Sequence, residues 1–554
     1  MKFAIFGGML HYIHIPVMGI CYTADSPMRI AHMGLTSAIS LVDDGLLEEY
    51  RMAYAERLGV DVGTPQTSRE ERIRLYLDFV TNEVQRKFDW IRGLRVGGGN
   101  FHMNDGTVAG LNEKDRYFMM LPSGSPLRAE YDRVCSLSGL QRVSAEMDLT
   151  QKMECGEIQA NIMVGLNHED AAIAAVRGFA ASKVRGSLIF SAGVNLAVFE
   201  EVAKHEEFFR QVVRPGGESV PPAKKIILKV SDYRSALIQG RYLAKKGLEV
   251  YEYRIESGVN CGGHAFFGAR KSMPEVLREF VAKKRELFEA TSAAIRSAGR
   301  VPPPSAARLT AQGGLCTAGE IEQVLAMGAD GVGVGTPFLL VPQVTSLDAE
   351  TRSLLAAATP DDVELSSASP LGIPFMNLKT SSAAVLTRQK AERYLMARGT
   401  PGYPCIQHYL CRSIPGFDHP VCMASVEYEK CRLAEIDRLE TSGEFCAVEA
   451  DAARKETLAR ECICRFLGNA GREEIRAKRP SIHFEPEKVA VARGVMPARH
   501  REPVTVCPGP NIAYFDREYT LLEMMQHLYG TGPSLTPANK PSAFEVEKQI
   551  LKSV

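Results

Sequence analysis

The stretch that decides the fold runs from residue 309 to residue 336 and reads LTAQGGLCTAGEIEQVLAMGADGVGVGT. It predicts a strand, a glycine turn at Gly313 and Gly314, a helix over about 317–327, a second strand and a second turn over 333–336. Two neighbouring turns with bare backbone N–H groups form a nest that binds an anion from two sides. In a (β/α)8 barrel a phosphate site commonly follows strands seven and eight. The stretch therefore predicts such a barrel and a phosphate-bearing ligand.

Eight short apolar runs, with helical segments between them, extend this pattern over the chain. The predicted strands are residues 13–18, 37–42, 158–164, 186–191, 225–230, 250–256, 307–312 and 331–335. The predicted helices between them include residues 169–182, 196–204, 235–246, 274–298 and 318–327. Repeated β-α units imply a parallel sheet buried on both faces. A doubly wound sheet would give a similar pattern, but eight strands and the terminal glycine turns favour a closed (β/α)8 TIM barrel.

Two segments are too long or too polar for this pattern. We expect residues 1–44 and 148–388 to form the barrel and residues 45–147 to form an inserted subdomain after strand two. That insertion either caps the active site or lies at the periphery. Residues 389–554 are charged, punctuated by proline and rich in cysteine, which predicts a separate C-terminal appendage.

The composition excludes some classes of protein. The 554 residues are 45% hydrophobic and 24% charged, with 66 basic and 66 acidic side chains. This balance favours neither a nucleic-acid nor an acidic-membrane partner, and no apolar run is long enough for a transmembrane helix. The apolar N-terminus is interrupted by His11, His14 and Pro16 without a clean cleavage site, so we expect it to form a strand of the mature fold. An odd count of 13 cysteines fits a reducing compartment, and we expect a cytoplasmic protein.

Several short motifs occur at or near the predicted strand ends, in the order known from one family. They are Pro16-Val-Met18-Gly19, Gln159-Ala-Asn161, Gly262-Gly263-His264 and the segment LGIPFMN at residues 371–377. Together with the two glycine turns they resemble the nitronate monooxygenase (2-nitropropane dioxygenase-like) family, which includes flavin-dependent enoyl-ACP reductases. The matched pieces lie within residues 13–42 and 158–385. The resemblance implies an FMN-binding TIM barrel that acts as an oxidoreductase.

The sequence departs from the family pattern in three ways. Asn260 and Cys261 stand where the family has an acidic residue before Gly-Gly-His, and Ser-Leu-Val-Asp-Asp at 40–44 replaces a glycine-rich segment. The insertion and the tail have no recognised counterpart. These departures bear on the substrate more than on the cofactor.

The predicted cofactor contacts follow from the turns and from the resemblance. The phosphate would be bound by Gly313, Gly314, Gly333, Gly335 and Thr336, which otherwise are ordinary β-α turns. The resemblance places Met18 and Gly19 against the flavin ring and Asn161 at its polar edge. The alternatives are a tight turn with a core methionine and an asparagine that caps a turn.

Lys229 and His264 are the predicted reactive side chains. A lysine in an apolar strand needs a partner, which is either the flavin near N1 or an acidic neighbour such as Glu256. His264, after Gly263, is the predicted catalytic residue because imidazole exchanges protons near neutral pH. In the family the matching histidine is the proposed base that deprotonates a nitroalkane. Cys261 has no activating pattern around it.

The tail holds a cluster of cysteines. Seven of the thirteen lie within residues 405–464, and we take Cys405, Cys411, Cys422 and Cys431 as candidate ligands of an iron–sulfur cluster or of zinc. An iron–sulfur cluster near the flavin would supply single electrons. The alternative is a set of reduced, buried thiols that pack as small hydrophobes.

Several functions stay open at this stage. The first is an FMN-dependent oxidoreductase or monooxygenase acting on a nitronate or on an unsaturated acyl or carbonyl compound, including an enoyl reductase supplied through an iron–sulfur cluster. The second is a non-flavin phosphate-binding barrel, an isomerase or lyase with Lys229 as Schiff-base amine. The third is a binding component. The expected partner is a small-molecule substrate, and the electron donor is either another protein or NAD(P)H, for which no G-x-G-x-x-G unit is present. Residues 519–529 predict an amphipathic helix that packs or mediates homo-oligomerisation.

Overall fold

The computed structural model describes residues 10–98, 111–164, 169–191, 193–212, 219–260, 263–265, 271–478 and 501–553. Cys261 lies outside these ranges. So do the first nine residues, which we predicted to belong to a strand. Eight strands form one parallel sheet. Their bounds are β1 Ile13–His14, β2 Ser37–Ser40, β3 Ile158–Met163, β4 Ser187–Ser191, β5 Lys225–Val230, β6 Val250–Ile255, β7 Arg308–Gln312 and β8 Gly331–Gly333.

The sheet closes on itself as a (β/α)8 TIM barrel, which confirms the predicted fold class. Each strand pairs in parallel with the next, β1 pairs with β8, and a parallel bridge from Ile15 to Ser37 joins β1 to β2. All eight predicted strands are present. Most end sooner than predicted, because the chain turns at their carboxyl ends to form the rim of the barrel.

Helices connect the strands and cover the outside of the barrel. Up to β8 they are Ser26–Ile30, Asp44–Leu58, Arg69–Gly93, Glu113–Met119, Pro126–Ser136, Gly139–Gln151, Glu169–Ala181, Leu196–Val202, Tyr233–Lys245, Met273–Ala282, Lys284–Ser297 and Ala318–Ala326. After β8 they are Ala349–Ala356, Ser382–Ala397, Val426–Thr441, Ala447–Leu458, Ile463–Lys478, Leu521–Tyr529 and Ala543–Ser553. The single helix predicted over 274–298 is two helices that meet at Lys283, whose φ of −105° and ψ of 9° leave the α region.

A capping box fixes where the chain leaves the first glycine turn. Thr317 caps the helix Ala318–Ala326, and the Glu320 carboxylate accepts hydrogen bonds from the backbone N–H groups of Cys316 and Thr317. These bonds satisfy N–H groups that a helix start leaves unpaired. The turn at Gly313 and Gly314 therefore enters the helix in a defined direction.

The inserted region lies beside the barrel. Its long helix Arg69–Gly93 packs against Glu169–Ala181, so closely that a Cβ at Gly178 would come within 2.7 Å of the Glu70 carbonyl oxygen. Trp90 on this helix is 45% exposed. Among the described residues, none of the segment 45–147 lines the large cavity described below. Its role, as a cap or at the periphery, stays a prediction.

The C-terminal region packs into the barrel core. The helix Ser382–Ala397 spans the predicted boundary at residue 388. The Cys21 thiol donates to the Leu467 carbonyl at 2.9 Å, and the Tyr22 hydroxyl donates to the Thr505 carbonyl at 2.7 Å. The same apolar core contains β-strand residues and tail residues alike.

The last predicted helix also contacts the barrel. The helix Leu521–Tyr529 begins two residues after the predicted start, and His527 bonds the Cys316 carbonyl at 2.8 Å. The Tyr529 hydroxyl lies 2.9 Å from His11 Nδ1. Of the two predicted roles, packing within the chain is the one observed. None of the helices in the described part of the chain combines the length and apolar composition that a bilayer crossing requires.

Candidate active site

A cavity of about 510 Å³ opens at the carboxyl ends of the barrel strands. This volume lies within the range of small-molecule sites. His264 and all the predicted cofactor contacts line it: Met18, Gly19, Asn161, Lys229, Gly263, Gly313, Gly314, Gly333, Gly335 and Thr336. The structure thus brings together residues that lie more than 300 positions apart, while their individual roles stay predictions.

The two glycine turns lie side by side at this rim. Gly333 pairs with Gln312, and a Cβ at Gly333 would lie 2.8 Å from Gln312 Cβ and 2.8 Å from His14 Nε2. Gly313 and Gly314 have φ of 128° and 71°, a region that L side chains rarely adopt. Their positions explain why glycine is required in both turns.

Both turns are held by the tail. The Asn511 side-chain N–H₂ donates to the Gly314 carbonyl, and Asn511 itself is fully buried. A Cβ at Gly509 would collide with the Thr336 hydroxyl oxygen. The proposed phosphate turns therefore contact a segment about 200 residues further along the chain.

A short antiparallel bridge holds His264 in place. The Met376 N–H donates to the Gly263 carbonyl at 2.7 Å, and the Ala265 N–H donates to the Pro374 carbonyl at 3.0 Å. Gly263 has φ of 82°, and a Cβ there would lie 2.8 Å from the Phe375 ring. Glycine before the histidine is thus required by both conformation and space.

The His264 imidazole is buried and has a fixed hydrogen-bond partner. Its Nε2 lies 2.9 Å from the Ser369 hydroxyl oxygen, and only 7% of the residue is exposed. The same Ser369 oxygen accepts the Leu371 N–H at 3.1 Å. Because the Leu371 N–H occupies one acceptor position of this hydroxyl, the orientation of the hydroxyl is restricted. Ser369 can therefore orient the imidazole ring and exchange a proton with it.

A chain of polar side chains crosses the cavity beside β5 and β6. Lys229 forms an ion pair with Glu256 at 2.8 Å, which is the structural alternative considered above. The other Glu256 oxygen accepts from Gln312 Nε2 at 2.8 Å. All three side chains line the cavity, so the ion pair does not remove Lys229 from the site.

Buried acceptors without partners point into the same region. Asn161 Oδ1 and Gln312 Oε1 have no hydrogen-bond partner among the described residues, although both side chains are buried. His14, beside Gly333, does not line the cavity, and its ring interacts with the Gln312 side chain. Burial, with a smaller effect of Arg254, lowers the pKa of His14 well below its ordinary value, so the ring is neutral. A buried polar atom without a protein partner in a cavity wall is a place where a ligand or a water can bind.

These orphaned atoms fit a flavin mononucleotide. The isoalloxazine pyrimidine edge alternates carbonyl groups with one N–H, which suits an amide such as Asn161 or Gln312. The paired glycine turns offer backbone N–H groups without side chains to block a phosphate. Gln312 was not among the predicted site residues. Its position directly before Gly313, at a predicted strand end, is the sequence signal that could have identified it.

The cavity is covered by the tail, which sequence reasoning missed. The covering residues are Tyr409, Leu410, Ile463, Cys464, Leu467, Cys507, Pro508, Gly509 and Pro510. They are mostly apolar and lie far along the chain from every barrel motif. Neither they nor Ser369 carry a local pattern that would have marked them.

The predicted metal ligands separate into two groups. Cys405 and Cys411 lie together, with His408 between them in the sequence. The hydrogen bond with Cys411, with a smaller effect of Cys422, lowers the pKa of the Cys405 thiol. Cys431 is exposed on the helix Val426–Thr441 and belongs to no candidate metal group among the described residues. His408 was missed as a potential ligand.

Comparisons with known proteins give fold neighbours only. The chain matches no protein-family model and no curated protein sequence. Among solved structures, it is similar to the enoyl reductase domain of MlnA from the macrolactin biosynthesis cluster of Bacillus amyloliquefaciens, with 14% identity, 77% of this chain and 86% of that chain covered, and a TM-score of 0.36.

Two further solved structures are similar at a comparable level. FabK from Thermotoga maritima has 15% identity, 67% and 91% coverage of this chain and of that chain, and a TM-score of 0.29. Nitroalkane oxidase from Streptomyces ansochromogenes has 12% identity, 86% and 99% coverage and a TM-score of 0.32. These values are too low to establish the chemistry of this protein, which rests on its own cavity.

Proposed function

We propose that this protein is an FMN-dependent oxidoreductase in which His264 accepts or donates a proton beside the flavin. The observation that supports it is the convergence of the two glycine turns, the unpartnered amide oxygens and His264 on one cavity. A phosphate site at strands seven and eight matches the position that this fold uses for anions.

The residues of the cavity divide the work of binding. Gly313, Gly314, Gly333, Gly335 and Thr336 would hold the phosphate through backbone N–H groups and one hydroxyl. Asn161 and Gln312 would satisfy the polar edge of the ring, with Lys229 near its N1 side. When bound, FMN supplies the capacity to accept or donate a hydride or single electrons.

The protein's own contribution to the chemistry is proton transfer at His264. An imidazole oriented by Ser369 can remove a proton from carbon or return one to an enolate, and such a group contributes roughly 10²–10⁴ in rate. Ser369 acts through the ring and is therefore a positioning residue. The apolar tail residues in the cavity wall would limit the access of water to the bound ring.

The substrate is either a nitronate or an α,β-unsaturated acyl or carbonyl compound. A nitronate forms when a nitroalkane loses its α-proton, and an α,β-unsaturated acyl compound takes up a proton at its α-carbon after hydride reaches its β-carbon. The cavity wall beyond the proposed ring site is lined by apolar side chains such as Val259, Met376, Leu410 and Leu467. These suit a substrate with a carbon chain.

The test uses the FMN-loaded protein under anaerobic conditions. A nitroalkane, its preformed nitronate and an enoyl thioester with NAD(P)H are compared by the change in flavin absorbance. We expect one class to react. His264→Gln should lower the rate with the nitroalkane or the enoyl thioester by about 10²–10⁴, but not the rate with the preformed nitronate, which needs no base, while FMN content stays constant. Ser369→Ala should lower kcat less and alter its pH profile. Equal rates for wild type and His264→Gln with every substrate would contradict the proton role.

The iron–sulfur form of the proposal differs in its electron supply. An enoyl reductase fed through a metal cluster would need iron near the cavity, and Cys464 lines that cavity. Iron and acid-labile sulfide in the purified protein would support this route. Activity with NAD(P)H alone, in protein free of iron, would exclude it.

The rival non-flavin barrel depends on Lys229 as an amine nucleophile. The ion pair with Glu256 at 2.8 Å stabilises the charged ammonium, whereas Schiff-base chemistry needs the neutral amine. Borohydride trapping of a ketone substrate on Lys229 would favour the rival function. We expect no trapped adduct.

A further inference from the structure

A compact group of metal-binding side chains lies in the loop 405–411. The ligand atoms of Cys405, His408 and Cys411 all lie within 4.8 Å of one another. The two sulfur atoms are 3.7 Å apart, and Cys411 Sγ lies 3.6 Å from His408 Nδ1. Every cysteine among the described residues is a free thiol, so these atoms are not joined by a disulfide.

A two-residue bridge brings a third cysteine to the same place. Arg412 and Val421 pair antiparallel, with N–H···O distances of 3.1 and 2.9 Å. Cys411 and Cys422 directly flank this pair, which holds them side by side. The Cys422 thiol also interacts with Cys405. Cys422 is therefore a neighbour of the compact group formed by Cys405, His408 and Cys411.

The observed distances match ligands of a single tetrahedral ion. With Zn–S of about 2.3 Å and Zn–N of about 2.0–2.1 Å, two sulfurs lie about 3.8 Å apart and a sulfur and a nitrogen about 3.5 Å apart. A four-iron cluster attaches each thiolate to a different iron and holds them farther apart. The spacing Cys-x2-His-x2-Cys-x10-Cys is short, as in structural zinc sites.

We propose that Cys405, His408, Cys411 and Cys422 bind one Zn²⁺ ion in a closed, structural site. Zinc binding replaces the sulfur-bound protons and supplies binding energy to a loop that has little core of its own. His408 has φ of 56°, a left-handed conformation that is costly for a residue with a side chain. Coordination would compensate for that strain.

The ion would also shape the cavity wall. Tyr409 and Leu410, between His408 and Cys411, line the cavity, and Leu410 packs with Cys464 and Leu371. A loop fixed at both ends by metal ligands presents these two side chains in one arrangement. This consequence rests on the proposed function of the cavity, but the metal assignment does not.

The test is metal analysis of the full-length protein, purified without chelators from medium that contains both zinc and iron. We expect about one zinc per chain, no stoichiometric iron or labile sulfide, and cobalt-substituted protein with the visible bands of a tetrahedral thiolate site. Stoichiometric iron with sulfide, or no bound metal at all, would overturn the proposal. These measurements on the wild-type protein stand even if ligand variants fail to fold.

Matched cysteine variants identify the ligands. Cys422→Ser should lower the zinc content, or weaken the retention of zinc against a chromophoric chelator by at least tenfold. The controls are Cys431→Ser and Cys446→Ser, which replace exposed cysteines in the same region. Both should retain zinc as the wild type does. Loss of zinc from Cys431→Ser, with retention in Cys422→Ser, would refute this ligand set. FMN content is measured on the same samples, so that a failed flavin proposal and a failed metal proposal give different results.

Discussion

The substitution Gly333→Ala tests the close approach of the two glycine turns. Its Cβ would lie 2.8 Å from Gln312 Cβ, 2.8 Å from His14 Nε2 and 2.9 Å from Gln312 Oε1. Ordinary carbon–carbon contacts are about 3.5–4.0 Å, so each neighbour must move by roughly 0.7 Å or more. Overpacking of this kind costs about 1–3 kcal/mol.

The strain should appear mainly as lost FMN affinity. In the free protein the Gln312 amide, which lines the cavity, can shift into it, whereas bound FMN would occupy that space. If the full strain is felt only in the complex, 1–3 kcal/mol corresponds to a dissociation constant about 5- to 150-fold higher. Titration of the apoprotein followed by flavin fluorescence measures this change directly.

A matched control lies on the helix between the turns. At Gly319 no atom lies within 4 Å of an added Cβ, and alanine in a helix is favoured over glycine by about 0.5–1 kcal/mol. Gly319→Ala should therefore bind FMN as the wild type does and unfold at a slightly higher temperature. A folded Gly333→Ala protein that binds FMN within twofold of the wild type would refute the reasoning.

Three further predictions concern the same molecule. Asn161→Leu removes a buried acceptor that has no partner among the described residues. Because such an atom costs about 1–3 kcal/mol, the substitution should raise the melting temperature of the FMN-free protein, yet it should weaken FMN binding. Calorimetry of the FMN-free protein and FMN titration check these two effects, and a change of stability and of affinity in the same direction would contradict the prediction. Asn511→Ala loses the hydrogen bond to the Gly314 carbonyl and should weaken FMN binding about 2- to 10-fold. The same FMN titration measures this change. Unchanged affinity would show that this bond does not order the turn at Gly313 and Gly314. Burial, with a smaller effect of Lys87, lowers the pKa of His32 to about 3, so the unfolded chain is protonated first and the free energy of unfolding falls as pH drops from about 6.5 toward 3. At pH 5.5 this histidine costs about 1.4 kcal/mol. Denaturant unfolding of His32→Gln should therefore show a loss of stability between pH 7.5 and 5.5 that is smaller by this amount.

The barrel was predictable because its signals are local. Each buried strand is a short apolar run, and the turns after β7 and β8 require glycine at fixed positions. Thr317 and Glu320 form a capping box that can be recognised in the sequence itself. Those patterns depend on neighbours within a few residues, so one sequence carries them.

The cover of the cavity was not predictable for the opposite reason. Ser369 reaches His264, and Asn511 reaches Gly314, through contacts between segments that are 105 and 197 residues apart. No periodicity or spacing encodes such a contact. The proposed metal site is an intermediate case: composition pointed to Cys405, Cys411 and Cys422, whereas His408 entered the proposal only through its closeness to Cys405 and Cys411 in the structure.

The most direct test of the account compares FMN with riboflavin as ligands of the apoprotein. The two differ only in the phosphate, for which the turns at Gly313–Gly314 and Gly333–Thr336 are proposed. Charge-assisted hydrogen bonds contribute about 1.5–3 kcal/mol each, so two of them predict FMN binding at least about 100-fold tighter than riboflavin. Equal affinity for both ligands, or binding of neither, would contradict the central claim.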